Sequence, residues 1–144
     1  MTASRTASCA CGQLRVNVVG EPVRVGICNC TQCQRRTGAA FAVGAFFPNG
    51  QVSGIEGAHK AFTRSSDAGR KVEYHFCTQR GSTVFWHRQA TPELTAISVG
   101  CFTDPTFPAP VGRHLGRAQA AMGRVSSRDA GAGGSAGMIE RPLP

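Results

Sequence analysis

Acidic residues are scarce in this chain. Its 144 residues hold 16 Lys and Arg but only 8 Asp and Glu, a formal charge of +8. Long apolar runs are missing as well. None approaches the roughly 18–20 residues that a membrane-spanning helix needs, so no transmembrane segment is expected. The opening stretch MTASRTASCACG lacks the apolar centre of a secretory leader, and its first cysteine comes too early to leave room for a transit peptide. The expected compartment is therefore cytoplasmic, where thiols stay reduced and structural disulfides are disfavoured. No basic run is longer than Arg35-Arg36, and no basic helix is interleaved with aromatic residues. Nucleic acid is thus not an expected partner, whereas small anionic ligands suit the charge.

A hydrophobic fraction of 41% excludes wholesale disorder. The length favours one domain with its own core. Most of residues 8–104 reads as short strands. LRVNVVG (14–20) and VRVGIC (23–28) alternate apolar and polar residues, and AAFAVGAFF (39–47) is apolar up to the turn signal Pro48-Asn49-Gly50. HKAFTRS (59–65), KVEYHF (71–76), STVFWHR (82–88) and LTAISVGCF (94–102) are rich in β-branched or aromatic residues and end at Gly, Pro, Asp or Ser. This spacing predicts a mainly β protein of antiparallel sheets. Only TQCQRRTG (31–38) reads as helical, for one or two turns that stop at Gly38. After Pro110 the chain turns Gly- and Ala-rich and loses its aromatics. Such a composition buries little apolar surface, so 111–144 is expected to be a mobile tail, with a short helix near 115–122.

Seven cysteines are odd in number and many for this length, and thiols that do not pair point to metal or thiol chemistry. They fall in clusters: Cys9-Ala10-Cys11-Gly12, then Cys28-Asn29-Cys30-Thr31-Gln32-Cys33, then Cys77, with Cys101 apart. On a strand, residues i and i+2 share a face, so both thiols of C-x-C can reach one ion. In C-x-C-x-x-C a turn then brings back the third. Catalytic zinc sites keep three protein ligands and an open position, and Cys28, Cys30 and Cys33 supply that number. Cys9, Cys11 and Cys77 are one ligand short of a closed structural site. HFCTQRGS places Arg80 where a C-x-x-C would need its second cysteine, and a guanidinium cannot ligate zinc. His75 would share a strand face with Cys77 and is a candidate substitute, set against a plain hydrogen-bonding role. Cys101 reads as a small core residue. Arg35 and Arg36 could pair with a ligand carboxylate or remain solvated. Phe46, Phe47, Phe85 and Trp86 read as core or as the lining of a pocket.

Together these residues resemble the glutathione-dependent formaldehyde-activating enzyme (GFA) family. The carrying stretches are Ser8-Cys9-Ala10-Cys11-Gly12, then Cys28 through Gly38, then Phe76-Cys77-Thr78-Gln79-Arg80-Gly81-Ser82. The likeness spans about residues 8–110, read as the zinc-binding domain. It implies a Mss4-like fold, small antiparallel sheets organised around zinc. It implies a catalytic zinc on Cys28, Cys30 and Cys33 and a structural zinc on Cys9, Cys11 and Cys77, with the fourth family ligand falling at Arg80. It implies a carbon-sulfur lyase that joins glutathione, as co-substrate, to formaldehyde. The alternative implied is a non-catalytic zinc-binding interaction module. Arg80 and the tail depart from the family pattern and point to an impaired member; a shifted reading frame would produce such a tail.

Overall fold

The computed structural model describes residues 2–111 and 113–114. Ser4–Ser8 (β1), Arg15–Val19 (β2) and Val52–Glu56 (β5) form a small antiparallel sheet in the order β1-β2-β5. The larger sheet takes Arg24–Cys28 (β3), Ala42–Pro48 (β4), His59–Ser65 (β6), Lys71–Cys77 (β7), Thr83–Arg88 (β8), Leu94–Ser98 (β9) and Arg113–His114 (β10). Its order is β10-β3-β4-β9-β8-β7-β6. Every pairing is antiparallel except β10 with β3, where Arg113 lies opposite Ile27 and His114 opposite Cys28. One helix, Thr31–Thr37 (α1), joins β3 to β4. This is the mainly β, Mss4-like architecture that the sequence implies.

Strand alternation divides the large sheet into two working faces. Ala45 and Phe47 of β4, with Val25, Phe85 and Ile97 from its neighbours, meet Ala7, Leu14, Val16 and Val18 of the small sheet. Phe47, Leu14 and Ile97 are fully buried there. Each such side chain contributes about 1.5–3 kcal/mol by leaving water. The other face carries Phe46, Val72, Tyr74, Trp86 and Ala96. The four aromatics that the sequence left between core and pocket therefore split. Phe47 and Phe85 fill the space between the sheets, while Phe46 and Trp86 turn away from it.

Three strands were not foreseen: β1, β5 and the two-residue β10, which pairs with β3 inside the segment 111–144 that was expected to be a mobile tail. SRTAS of β1 is short and polar, and VSGIE of β5 holds a glycine at its centre, so neither shows a strong strand pattern. The expected strand 94–102 is shorter than predicted. It ends at Ser98, and Val99–Phe102 coil into a 3-10 turn that places Thr103 at φ 49°. The helix ends where expected: Gly38 adopts φ 65° and donates its N–H to the Gln34 carbonyl. The predicted helix near 115–122, and the tail beyond His114, lie outside the described residues.

The topology sets where the cysteines go. β3 and β7 are separated by three strands, each antiparallel to the next, so they run the same way. Cys28 and Cys77 close these two strands at the same end of the sheet. Four interstrand spacings put β3 and β7 roughly 19 Å apart.

Candidate metal centres and the cavity beside one of them

The first centre forms within one turn of chain. Cys28 ends β3, and Cys30 is the N-cap of α1 with extended φ −66° and ψ 156°. The Cys30 sulfur accepts the Cys33 backbone N–H at 3.5 Å. It also lies 3.5 Å from the Cys28 sulfur. Cys33 is buried on the first turn of the helix. Gln34 pins the segment by donating its side-chain amide to the Asn29 and Ala40 carbonyls, at 3.1 and 3.2 Å. The three sulfurs lie within 4.8 Å of one another. Tetrahedral zinc with bonds of about 2.3 Å holds its sulfurs about 3.8 Å apart, so the trio fits that ion. A hydrogen bond to Cys28, burial and the two neighbouring sulfurs raise the Cys33 thiol far above its ordinary pKa. Three thiols this close cannot all ionise unless a cation joins them.

The second centre joins distant parts of the chain. Cys9 and Cys11 sit on the turn between β1 and β2, with sulfurs 3.5 Å apart. Cys77, at the end of β7, lies 3.6 Å from the Cys11 sulfur. All three sulfurs again fall within 4.8 Å of one another. N–H donors surround them. Leu14 N donates to Cys9 at 3.2 Å, and Gln13 Nε2 and Gln79 N donate to Cys77 at 3.2 and 3.4 Å. The Gln13 amide above all, with the backbone N–H groups of Gln79 and Arg80, holds the Cys77 thiol down at about 6. A pocket of N–H groups around sulfur favours thiolate, the form that a metal requires.

Neither trio gains a fourth His, Cys, Asp or Glu at this spacing among the described residues. His75 does not join the second. Its Nε2 meets Glu73 at 2.9 Å, and its ring stacks on Phe85 at 4.3 Å. Arg80 stands exposed on the turn after Cys77, where Gly81 N bonds the Cys77 carbonyl. Cys101 joins no cluster, and burial pushes its thiol up to about 11. It sits half-buried on the 3-10 turn rather than within a strand.

A cavity of about 390 Å³ opens beside the first centre, lined by Cys28, Cys30 and Cys33. Phe46, Tyr74 and Trp86 form its aromatic wall. Arg36, Arg64, Arg70, Lys71 and Arg88 also line it, against one acid, Asp67. Arg36 reaches in from α1, with its guanidinium 4.9 Å from the Tyr74 ring centre and 5.0 Å from that of Trp86. Its Nε is buried without a hydrogen-bond partner. A buried donor left unsatisfied costs about 1–3 kcal/mol. Arg35 is exposed and does not line this cavity, but it lines an adjoining hollow with Arg36, Arg64 and Tyr74. Arg64 and Arg88 were not foreseen. Both lie opposite Val72, on the strands either side of β7, and strand register alone places them there.

The described residues include no helix long and apolar enough to cross a membrane. A crystal structure of a Rhodobacter sphaeroides protein matches this chain with a TM-score of 0.56 at 20% identity, covering 76% of this chain and 99% of that one. At that identity the likeness speaks for the fold. The sequence model for the glutathione-dependent formaldehyde-activating enzyme matches residues 4–115. With most of its length under that match, and both cysteine trios inside it, the chain belongs to the glutathione-dependent formaldehyde-activating enzyme family.

Proposed function

We propose that the protein is a zinc-dependent lyase of the carbon-sulfur type, which adds the thiol of glutathione to a small aldehyde such as formaldehyde. The observation that carries this reading is the convergence of Cys28, Cys30 and Cys33 on the wall of a cavity large enough for a small ligand. Zinc held by these three sulfurs would keep a fourth position for an incoming thiol and lower that thiol's pKa. The chain's own groups do the rest. Arg36 offers N–H donors to a carboxylate of the thiol substrate, and the aromatic wall of Phe46, Tyr74 and Trp86 keeps water from the reacting pair. In the reaction, the sulfur bonds the carbonyl carbon and the thiol proton ends on the carbonyl oxygen. Nothing is oxidised. Cys9, Cys11 and Cys77 serve a second, structural zinc, held by three protein sulfurs because Arg80 cannot contribute. A cytoplasmic setting, where thiols stay reduced, would keep both trios available to metal.

Cys30 gives the test. Serine at this position keeps a capping oxygen, whereas alanine loses both the cap and the ligand. Both Cys30→Ser and Cys30→Ala should lose one zinc per chain by elemental analysis, and both should lose glutathione-dependent formaldehyde consumption followed by NMR. In the metal-free state Cys30→Ser should be the more stable by about 1 kcal/mol. Full turnover in Cys30→Ala would sink the catalytic assignment.

A further inference from the structure

Resting on the reading of Cys9, Cys11 and Cys77 as a zinc centre, we infer that His59 supplies its fourth ligand, in place of the thiol that this chain lacks at Arg80. Three thiolates and one imidazole make a regular closed set for structural zinc.

The first observation is register. His59 opens β6 directly opposite Cys77, the last residue of β7. Directly opposed residues of an antiparallel pair project to one face, with Cβ atoms about 4.5–5.5 Å apart. The ring contact of His59 with Phe85 confirms that face, since Phe85 and Cys77 belong to one buried cluster. An imidazole and a thiol from such a pair can span one ion, with zinc bonds of about 2.0–2.1 Å to nitrogen and about 2.3 Å to sulfur. His75 and His87 are placed worse. His75 lies two residues back on the strand of Cys77 itself, with Nε2 held by Glu73 at 2.9 Å and its ring stacked on Phe85. His87 lies opposite Glu73, further along β7.

The second observation is what ties this corner together. Gln13 grips both backbone groups of Ala58, the neighbour of His59, and its amide nitrogen also reaches the Cys77 sulfur at 3.2 Å. The start of β6 is thereby fastened to the trio by one side chain.

The third observation is freedom. Cys9 and Cys77 are buried and Cys11 is exposed, so an ion on them has its uncovered side at the surface. His59 is exposed as well. Its Nδ1 meets the Gly57 carbonyl at 3.2 Å, and its ring centre lies 5.2 Å from that of His75. Neither of its nitrogens joins the group of three sulfurs within 4.8 Å. The ring therefore turns from one staggered rotamer to another to reach the ion. The turn gives up one exposed hydrogen bond, which a metal bond outweighs.

Elemental analysis and zinc X-ray absorption of the zinc-loaded protein test this together. The wild type should hold two zinc ions per chain and show imidazole scattering. His59→Ala should lose that scattering and give up one zinc to a competing chelator at a concentration at least about tenfold lower. Arg80→Cys should also lose the scattering but keep both ions. The double variant His59→Ala/Arg80→Cys should keep both as well, which separates loss of a ligand from loss of the fold. His75→Ala should change neither reading. Two ions held as tightly in His59→Ala as in the wild type, or unchanged scattering, would overturn the inference and leave the second zinc standing. A single zinc in the wild type, on Cys28, Cys30 and Cys33, would overturn the inference together with the second centre.

Discussion

Gln13 holds the second sulfur trio in place with a single side chain. Its amide nitrogen donates to the Ala58 carbonyl at 2.6 Å and to the Cys77 sulfur at 3.2 Å, while its oxygen accepts from Ala58 N at 2.9 Å. It is thus the main reason that the Cys77 thiol titrates near 6 rather than 9.0. The sign of the stability effect follows. Between those values the folded chain has released a proton that the unfolded chain still binds, so stability rises with pH from about 6 to 9. Cys33 and Cys101 are raised instead. Their contribution is intact below 9 and is lost as the pH climbs past it. Metal-free protein should therefore be most stable near pH 9. Gln13→Leu should flatten the rise between 6 and 9 in thermal melts and leave the fall above 9 unchanged. An unaltered rise would show that the amide does not control this thiol. Arg80 belongs to the same scale: it stands exposed on the turn that follows Cys77 and offers no metal ligand, while the N–H donors around the trio remain.

At the scale of elements, Gly57 shows why the loop between β5 and β6 has little freedom. Its φ is +99°, and a Cβ there would run into the Gln13 carbonyl. Gly57→Ala should cost a few kcal/mol, since backbone strain adds to a clash that only backbone movement relieves. The loss should come with weaker metal retention at Cys9, Cys11 and Cys77, because Gln13 moves with the loop. Chemical denaturation and a zinc-release assay would check the two effects, and a neutral substitution would refute the packing argument. Elements also explain what was legible beforehand. The thiol trio at 28–33 is local, so spacing revealed it, together with the helical turn and its glycine stop. Cys77 was grouped with Cys9 and Cys11 by counting the cysteines left outside the 28–33 cluster, and the family resemblance agreed; no local pattern within reach of a window joins them. Arg64 and Arg88 stayed hidden because they become neighbours only once β6, β7 and β8 pair. Arg35 and Arg36 looked equivalent in sequence, and the pitch of α1 separates them: Arg36 enters the cavity beside the thiols, and Arg35 lines only the hollow next to it.

At the scale of the molecule, mainly β architecture was readable from seven of the ten strands among the described residues, but the division into two sheets was not. Nothing in SRTAS or VSGIE indicates that these segments leave the large sheet to cover one face of it. That division has a temporal consequence. Cys28, Cys30 and Cys33 close a loop of a few residues, which costs little chain entropy even before folding. Cys9 and Cys11 meet Cys77 only after the small sheet has docked on the large one. Cobalt-substituted protein in rising urea should thus lose its thiolate absorbance in two steps. The first step should coincide with the loss of Trp86 fluorescence, and the second should come later; a single step would refute this order. The first centre is then a seed around which a short segment can organise early. The second is a latch that closes last and ties the amino-terminal hairpin to the finished body of the protein.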